Sequence, residues 1–260
     1  MTKNYNKIVS QYKDFYKVFK EAYIGIPAKY NELKRPYYGS LKGFIKKYPN
    51  FKSNYKIPTV VFIHGSGDFI GGDIYRRLIV EEAKFAFIAP NSYAVKNRPT
   101  YKSPAPLKEY MKVHKIRQAE ISYTVNRLKE FKWIDKKNLF LMGSSEGALA
   151  TGIYTGKAFK GRIIIAWNCE DGYYTSYSKI GAKKRDPILA IIGTEDEYFS
   201  KNSKIKSNNP TDGHCTGALL KYKNSKVVII PKAKHNLLEN IYTGDEIVNF
   251  LDFWKNRTHS

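Results

Sequence analysis

A serine flanked by glycines is the residue best suited to act as a nucleophile. Gly143, Ser145 and Gly147 form the pattern G-x-S-x-G. Apolar residues 139–142 precede it and predict a short buried strand, and an alanine- and leucine-rich segment follows and predicts a helix. A serine hydroxyl becomes reactive when a sharp strand-to-helix turn holds it exposed beside a base. We therefore interpret Ser145 as a candidate nucleophile; the alternative is a glycine-rich turn with a solvent-facing serine.

A second turn offers backbone amides for a developing negative charge. His64, Gly65, Ser66 and Gly67 follow the apolar residues 57–63. The spacing of glycines needed for a dinucleotide or a phosphate loop is absent, which argues against phosphate binding. The amide of Ser66, together with that of Glu146 after the serine, would form a two-donor oxyanion hole. The alternative is a tight turn without this role.

A carboxylate that could orient a base follows another predicted strand. Glu195, Asp196 and Glu197 come directly after the apolar residues 187–192. The position of Asp196 suits contact with an imidazole at the edge of the sheet. Glu195 and Glu197 remain alternatives, since acidic clusters on loops are mostly solvated.

One histidine lies where a general base is expected. His235 follows the last predicted strand, in a loop that leads into a helix. An imidazole there can take the proton of a serine and return it to a leaving group. His214, in a loop before the last strand, is the second choice. The remaining histidines are weaker candidates: His64 points into its own turn, His114 lies on a helix and His259 lies in the tail.

The elements that position these residues are six short apolar segments. They are residues 57–64, 82–90, 138–142, 162–167, 187–192 and 226–230. Helical patterns separate them, the longest over residues 107–132. Alternating strands and helices predict a mostly parallel sheet covered on both faces, that is, a three-layer α/β sandwich. Ligands bind such sheets beyond the carboxyl ends of the strands, where each candidate residue occurs.

The chain order Ser145, Asp196, His235, together with G-x-S-x-G, resembles the α/β-hydrolase fold over residues 36–255. Residues 117–150 are similar to the dienelactone-hydrolase-like branch, which has no large cap domain. Dienelactone hydrolases proper use a cysteine nucleophile, so their lactone substrate does not transfer to a chain with Ser145. The resemblance implies a serine esterase that works through an acyl-enzyme intermediate without a cofactor or metal.

Two other functions stay open. A peptidase could use the same three side chains on an amide bond. Alternatively, the chain could be a non-catalytic hydrolase-like protein that binds an anionic polymer. Turnover of a short-chain ester, and its loss with Ser145, would separate an enzyme from a binding protein.

We predict an N-terminal helical extension over residues 1–35, packed on a hydrolase domain over residues 36–260. Aromatic and aliphatic residues recur at three- and four-residue steps in residues 5–23, which predicts an amphipathic helix. A helix at a membrane surface is the alternative. Residues 36–48 are predicted to be extended, as an edge strand or hairpin.

Two loops are expected to overhang Ser145 and to set specificity. They are residues 91–107 and residues 168–186, the second with Tyr173, Tyr174 and Tyr177. Tyrosines beside lysines suit a small-molecule ester that is anionic, aromatic or sugar-linked. A packed aromatic loop is the alternative.

The composition is strongly basic. Among 260 residues, 45 are Lys or Arg and 23 are Asp or Glu, which gives a formal charge of +22. Such a charge can mark an anionic partner, but the lysines are scattered and the signatures of nucleic-acid binding are absent. We interpret the charge as solvated surface and expect no specific nucleic-acid binding. No apolar run reaches the length of a membrane span.

The two cysteines bear on localisation. Cys169 and Cys215 both follow predicted strand ends, so they could be bridged or could be free thiols. Residues 1–24 do not have the pattern of a secretory signal, which makes the cytoplasm the default. A disulfide would instead favour a periplasmic or secreted protein. The sequence leaves the oligomeric state open.

Overall fold

The computed structural model describes residues 14–30, 35–53, 55–176, 178–203, 205 and 211–257. Its strands are β1 (Tyr23–Ile26), β2 (Tyr37–Ser40), β3 (Ile57–Ile63), β4 (Ala86–Ala89), β5 (Ile134–Ser144), β6 (Gly161–Ile165), β7 (Ile188–Gly193) and β8 (Ser225–Ile230). The α-helices are α1 (Phe15–Lys20), α2 (Leu41–Lys47), α3 (Gly72–Arg77), α4 (Leu107–Leu128), α5 (Glu146–Ile153), α6 (Thr216–Leu219) and α7 (Ile241–Lys255). A π-helical stretch, Leu78–Glu82, continues α3.

All eight strands form one sheet, in the order β2-β1-β4-β3-β5-β6-β7-β8. The six strands from β4 to β8 along this order are parallel, whereas β1 runs antiparallel to both of its neighbours. These six parallel strands are the six predicted from the apolar segments. The predicted α/β class with a mostly parallel sheet is confirmed.

Helices cover both faces of the sheet, which explains why β3, β4, β6 and β7 are buried along their whole length. One face packs against α1, α2, α4 and α5. The other packs against α3, the π-helical stretch and α7. No helix in the described part of the chain is both long and apolar enough to cross a bilayer.

The N-terminal region is only partly helical. Of the helix predicted over residues 5–23, α1 occupies Phe15–Lys20, and residues 5–13 lie outside the described residues. The rings of Phe15 and Phe19 pack against Tyr123 of α4, with centroids 6.0 and 6.4 Å away. This contact buries the apolar face of α1 against α4.

Strand β1 belongs to the sheet, although it lies within residues 1–35, for which a helical extension is predicted. It pairs with β2 on one side and β4 on the other. A domain boundary at residue 35 would therefore divide a continuous sheet. The short apolar stretch of β1 satisfies its backbone hydrogen bonds on both edges, which a separate extension could not provide.

Residues 36–48 are extended only at their start. The edge strand β2 is present as predicted, but α2 follows it directly instead of a second extended segment. Ser40 explains the change, because its Oγ accepts a hydrogen bond from the amide of Gly43 at 3.0 Å. This is an N-cap, which satisfies an amide that the first helical turn leaves unpaired.

Candidate active site

Ser145 lies at the turn between β5 and α5, and its backbone is strained. Its φ and ψ are 56° and −120°, a region that residues with side chains rarely adopt. The flanking glycines make the turn possible. A Cβ on Gly143 would lie 2.2 Å from the carbonyl oxygen of Gly147, and a Cβ on Gly147 would lie 1.9 Å from that of Ile63. The turn thus holds the serine at the edge of the sheet, partly exposed.

His235 reaches Ser145 from 90 residues further along the chain. Its Nε2 lies 2.9 Å from Oγ of Ser145. The loop that carries it, after β8, packs on the loop after β7. The amide of Glu195 donates to the carbonyl of Ala233 at 2.9 Å, and a Cβ on Gly193 would lie 2.1 Å from the same oxygen. This close approach of the two loops places the imidazole.

Asp196 is the carboxylate that contacts the imidazole. Its Oδ2 lies 2.7 Å from Nδ1 of His235, and its side chain is fully buried. The amides of Tyr198 and Phe199 each donate to its Oδ1 at 2.9 Å. A carboxylate accepts these bonds in its ionised form, so Nδ1 of His235 carries the proton and Nε2 is free to accept from the serine hydroxyl.

Asp196, and not Glu195 or Glu197, is the carboxylate hydrogen-bonded to the imidazole of His235. Glu197 accepts a hydrogen bond from the backbone amide of His235 at 3.0 Å, and Glu195 is exposed. His214, the second choice as base, is not the imidazole at Ser145. The structure therefore brings together the three side chains predicted from the sequence, in one hydrogen-bonded chain.

The predicted oxyanion donors lie beside the serine. Ser66 and Glu146 line the same cavity as Ser145. The loop of Ser66 contacts the turn closely, since a Cβ on Gly65 would lie 3.5 Å from Cβ of Ser145. The hydroxyl of Tyr93 donates to the carbonyl of Ser66 and fixes that loop from the other side.

The side chain of Glu146 has a partner set that the sequence does not predict. Its carboxylate is 1% exposed and accepts hydrogen bonds from Nη2 of Arg98 and from the hydroxyl of Tyr101, each at 2.7 Å. Burial raises the pKa of the Tyr101 hydroxyl, and the neighbouring carboxylate adds to that effect. Residues 98–101 belong to one of the two predicted overhanging loops, so these bonds join that loop to the serine turn.

The network continues to α4. Arg117 is fully buried, with Nη1 at 2.9 Å from Oε2 of Glu120 and Nε at 3.5 Å from Oε1 of Glu146. The hydroxyl of Ser92 donates to the other oxygen of Glu120 at 2.5 Å. Burial raises the pKa of the Glu120 carboxyl, and the guanidinium of Arg117 opposes that rise. Two arginines and two glutamates thus balance their charges beneath the site.

His64 belongs to this buried network, as its predicted orientation into the turn requires. Its Nδ1 lies 2.8 Å from the carbonyl oxygen of Gly65, and its Nε2 accepts from the amide of Ser92 at 3.2 Å. Burial lowers the pKa of His64 well below its usual value, and the charge of Arg117 lowers it further. A neutral imidazole satisfies both bonds.

A cavity of about 370 Å³ opens beside Ser145. Aromatic rings form much of its wall, with the centroids of Tyr101 and Tyr110 4.5 Å apart and those of Tyr174 and Phe199 4.9 Å apart. The lining residues are Ser66, Tyr101, Lys102, Ser103, Tyr110, His114, Ser145, Glu146, Leu149, Tyr174, Tyr198, Phe199 and His235. Both predicted overhanging loops contribute to it. The loop after β7, with Tyr198 and Phe199, is an additional wall that the sequence does not predict, and Tyr177 lies outside the described residues.

His114, a weaker candidate in the sequence because it lies on a helix, lines the cavity. Its Nε2 lies 2.9 Å from the carbonyl oxygen of Tyr174, so Nε2 carries the proton. Burial lowers the pKa of His114, which keeps the ring neutral. In the described part of the chain, its Nδ1 and the hydroxyl of Tyr174 are buried without a hydrogen-bond partner. The helical periodicity of α4 marks His114 as buried, but not as part of a cavity wall.

A smaller cavity of about 270 Å³ lies on the other side of the serine. Ser145, Ser66 and His235 line both cavities, and the rings of Phe62 and Phe69 contribute to the smaller one. Ser145 therefore borders two cavities.

A disulfide joins Cys169 to Cys215, with Cα atoms 4.9 Å apart. This resolves the two alternatives for the cysteines in favour of the bridge. It ties the loop after β6, which carries Tyr174, to the loop after β7, which carries Phe199. Both residues line the larger cavity, so the bridge holds part of its wall.

No protein-family model matches the chain, and no curated protein matches it. Solved structures do resemble it. Esterase PE8 superimposes with a TM-score of 0.52 at 17% identity, covering 77% of this chain and 94% of that one. A candidate dienelactone hydrolase from Klebsiella pneumoniae subsp. pneumoniae MGH 78578 gives 0.55 at 15% identity, covering 80% and 90%.

The third structure is Est1E from Butyrivibrio proteoclasticus with ferulic acid bound. Its TM-score is 0.54 at 16% identity, and the alignment covers 78% of this chain and 91% of that one. Likeness at such low identity establishes the architecture and leaves the activity to be argued from the site. Together with the strand order and the serine turn, it shows that this chain has the α/β-hydrolase fold.

Proposed function

We propose that the chain is a serine hydrolase that cleaves carboxylic esters through an acyl-enzyme intermediate. The observation that carries the proposal is the hydrogen-bonded chain from Asp196 through His235 to the strained Ser145, with distances of 2.7 and 2.9 Å. The resemblance in fold to a structure named as an esterase supports it.

Acylation begins when Oγ of Ser145 attacks the ester carbonyl carbon. Nε2 of His235 accepts the serine proton, and Asp196 stabilises the imidazolium that forms. The amides of Ser66 and Glu146 donate to the oxyanion of the tetrahedral intermediate. The intermediate collapses when the imidazolium gives its proton to the departing alkoxide, which leaves as the alcohol.

Deacylation repeats these steps with water as the nucleophile. His235 takes a proton from the water as its oxygen attacks the acyl carbon. The second tetrahedral intermediate then expels Oγ of Ser145, which recovers its proton from Nε2. The products are the carboxylic acid and the free enzyme.

The cavity walls favour an aromatic acyl group. A cavity of about 370 Å³ lined by Tyr101, Tyr110, Tyr174 and Phe199 suits a flat ring, since edge-to-face contacts stabilise aromatic pairs. Lys102 at the same wall suits an anionic or hydroxylated substituent. Ferulic acid, bound by Est1E, is an aromatic acid of this kind.

The Cys169–Cys215 disulfide supports an oxidising compartment. The protein is accordingly proposed to work in the periplasm or outside the cell rather than in the cytoplasm. Labelling of free thiols in protein isolated from its native cells, with and without reduction, tests this directly. Two thiols labelled without reduction would contradict it.

The test of the proposed reaction is a Ser145→Ala variant assayed on p-nitrophenyl acetate and on the methyl ester of an aromatic acid. Removing the nucleophile should lower kcat by about 10⁵-fold or more. A Ser144→Ala variant, which changes the neighbouring serine, should lose less than about tenfold. Activity that survives Ser145→Ala would sink the proposal, as would a folded wild type without turnover of any ester. Turnover of a p-nitroanilide alone would favour a peptidase.

A further inference from the structure

A second concave site lies at the edge of the sheet opposite Ser145. It is a cleft of about 580 Å³, called here the basic cleft. Because the central strands are parallel, their amino ends meet at this edge, far from the serine turn at the carboxyl end of β5. The basic cleft is formed at the start of β5, just before β6, just before β7 and at the end of α7. Its cationic lining residues are Lys137, Lys157, Lys160, Lys183, Arg185, Lys255 and Arg257.

The basic cleft carries a large excess of positive charge. Asp186 is the one carboxylate among the described residues that line it. None of the seven cations takes part in an ion pair with any other described residue. Some cations elsewhere on the surface do pair, as Arg127 does with Glu130 at 2.7 Å, so it is the grouping of the seven in one concavity that sets the basic cleft apart. Seven cationic residues line one concavity, which raises the local positive potential and attracts an anion. Two of these side chains also have partners outside the cleft, since Nζ of Lys255 donates to the hydroxyl of Tyr30 at 3.2 Å and the guanidinium of Arg257 lies over the ring of Phe253.

Part of the basic cleft is held in a fixed geometry. The Nζ of Lys160 donates to Oδ1 of Asn138 at 2.8 Å and to the carbonyl of Lys255 at 2.7 Å. These bonds join the ends of three elements at the cleft floor. Burial lowers the pKa of Lys160, and the carboxylate of Asp135 opposes that shift. The exposed cations, among them Lys157 and Arg185, form the rim.

We propose that the basic cleft binds an acidic polysaccharide through carboxylates or sulfates on its sugar rings. The cleft is open to solvent and is lined by cationic residues from four separate segments of the chain, which suits a linear polyanion. Proteins that hold single-stranded nucleic acid add exposed aromatic rings on which bases stack. The one aromatic residue in this lining, Phe159, is buried. A membrane surface is disfavoured as well, since the charges converge in a concavity and the lining presents no large exposed apolar side chain.

This site is independent of the proposed reaction. Its seven cations lie outside both cavities at Ser145, so a polymer can occupy the basic cleft while the serine turn stays open. The chain has a strong net positive charge, and its scattered lysines would otherwise be only solvated surface. Binding at the basic cleft would give part of that charge a local function. Binding there would hold the enzyme on an acidic matrix.

The test measures binding of a fluorescein-labelled heparin dodecasaccharide and of an oligogalacturonate by anisotropy at two salt concentrations. A cleft variant carries Lys157→Glu, Arg185→Glu and Arg257→Glu. A control variant carries Lys46→Glu, Lys56→Glu and Lys115→Glu, exposed lysines outside the basic cleft, and so has the same net charge. Thermal unfolding of both variants checks the fold.

We expect Kd for at least one glycan to rise by at least about 30-fold in the cleft variant and by less than about threefold in the control, with wild-type binding that weakens steeply as salt increases. Ester turnover should be unchanged in both. Should the triple variant not fold, Arg185→Glu alone should raise Kd by at least about threefold. Equal losses of affinity in both variants would overturn the proposal. It would also be overturned if the wild type bound neither glycan. Tighter binding of a single-stranded DNA of equal charge, or of anionic vesicles, would also overturn it.

Discussion

Two groups of polar side chains meet at consecutive residues of one turn, and they differ in burial. The first group, called here the accessible group, is the hydrogen-bonded series Ser145, His235 and Asp196. It borders a cavity, and the side chain of His235 is 21% exposed. The second group, called here the buried network, consists of Glu146, Arg98, Arg117 and Glu120. Each of its side chains is at most 4% exposed. In the proposed reaction the first group exchanges a proton with the substrate, whereas the side chains of the second are buried and bonded to one another.

The difference in burial indicates a different role for each group. A buried ion pair repays the loss of hydration only when its geometry is good and its remaining atoms are hydrogen-bonded. Among the described residues, the buried network meets that demand except at Nε of Arg117, which lies 3.5 Å from Oε1 of Glu146 without a hydrogen bond. It joins three separate pieces of chain: the serine turn, the loop with Arg98 and the helix with Arg117. We infer that it positions the turn and the amide of Glu146, while the accessible group carries the reaction.

The largest expected effect of this comparison distinguishes Asp196 from the neighbouring carboxylate of Glu197. Asp196→Asn should lower kcat by about 10⁴-fold, because the amide no longer fixes the tautomer and charge of the imidazole. Glu197→Gln removes a carboxylate that accepts a hydrogen bond from the backbone amide of His235, and should cost less than about tenfold. Steady-state kinetics on a p-nitrophenyl ester measures both. Equal losses in the two variants would contradict the assignment of Asp196.

The accessible group could be predicted from the sequence because backbone topology places it. Ser145, Asp196 and His235 each follow a parallel strand, and such strand ends meet at one edge of the sheet. The buried network could not be predicted in this way. Arg98 and Arg117 have the sequence appearance of solvated surface charges, and only the packing of a loop against α4 buries them. The extent of the sheet was missed for a similar reason, since the four residues of β1 become a strand through pairing with β4.

The next effect compares two ion pairs of equal length. Arg98–Glu146 and Arg127–Glu130 both have N···O distances of 2.7 Å, but the first is buried and the second is about half exposed. Glu146→Gln leaves a buried guanidinium without its counter-charge and should lower the free energy of unfolding by about 3–5 kcal/mol. Glu130→Gln should lower it by less than about 1 kcal/mol. Urea unfolding monitored by circular dichroism measures both values.

Glu146→Gln should also lower kcat more than it raises KM, because the amide of residue 146 acts on the transition state. A variant that loses stability while kcat is unchanged would show that the buried network supports the fold without positioning the turn. Arg98→Lys, which keeps the charge but not the planar fork, should give an intermediate loss in both measurements.

The disulfide offers a further comparison with the buried network. It links two loops of the larger cavity covalently, whereas the buried network joins its segments through ion pairs and hydrogen bonds. Cys169 and Cys215 are 46 residues apart, and the chain-entropy estimate for such a loop is about 4 kcal/mol at most. Replacing both by Ser should lower the free energy of unfolding by about 2–4 kcal/mol. Reduction of the wild type by dithiothreitol should reproduce the loss, and should leave the double variant unaffected. An aromatic ester should suffer a larger rise in KM than p-nitrophenyl acetate, since the bridged loops line the larger cavity.

The smallest expected effect concerns the buried histidines. Burial lowers the pKa of His64 and of His114 in the folded state, so between about pH 6.5 and 5 the unfolded chain binds protons that the folded chain does not. Stability should therefore fall as pH decreases through this window, by up to about 1.4 kcal/mol per pH unit for each histidine. His114→Gln keeps a donor for the carbonyl of Tyr174 and removes one titrating group. Between pH 6.5 and 5, the unfolding free energy of the variant should decline less steeply than that of the wild type. The two slopes should differ by up to about 1.4 kcal/mol per pH unit. Parallel curves for the two proteins would mean that His114 is protonated in the folded state, and that the cavity wall is more accessible to protons than its burial implies.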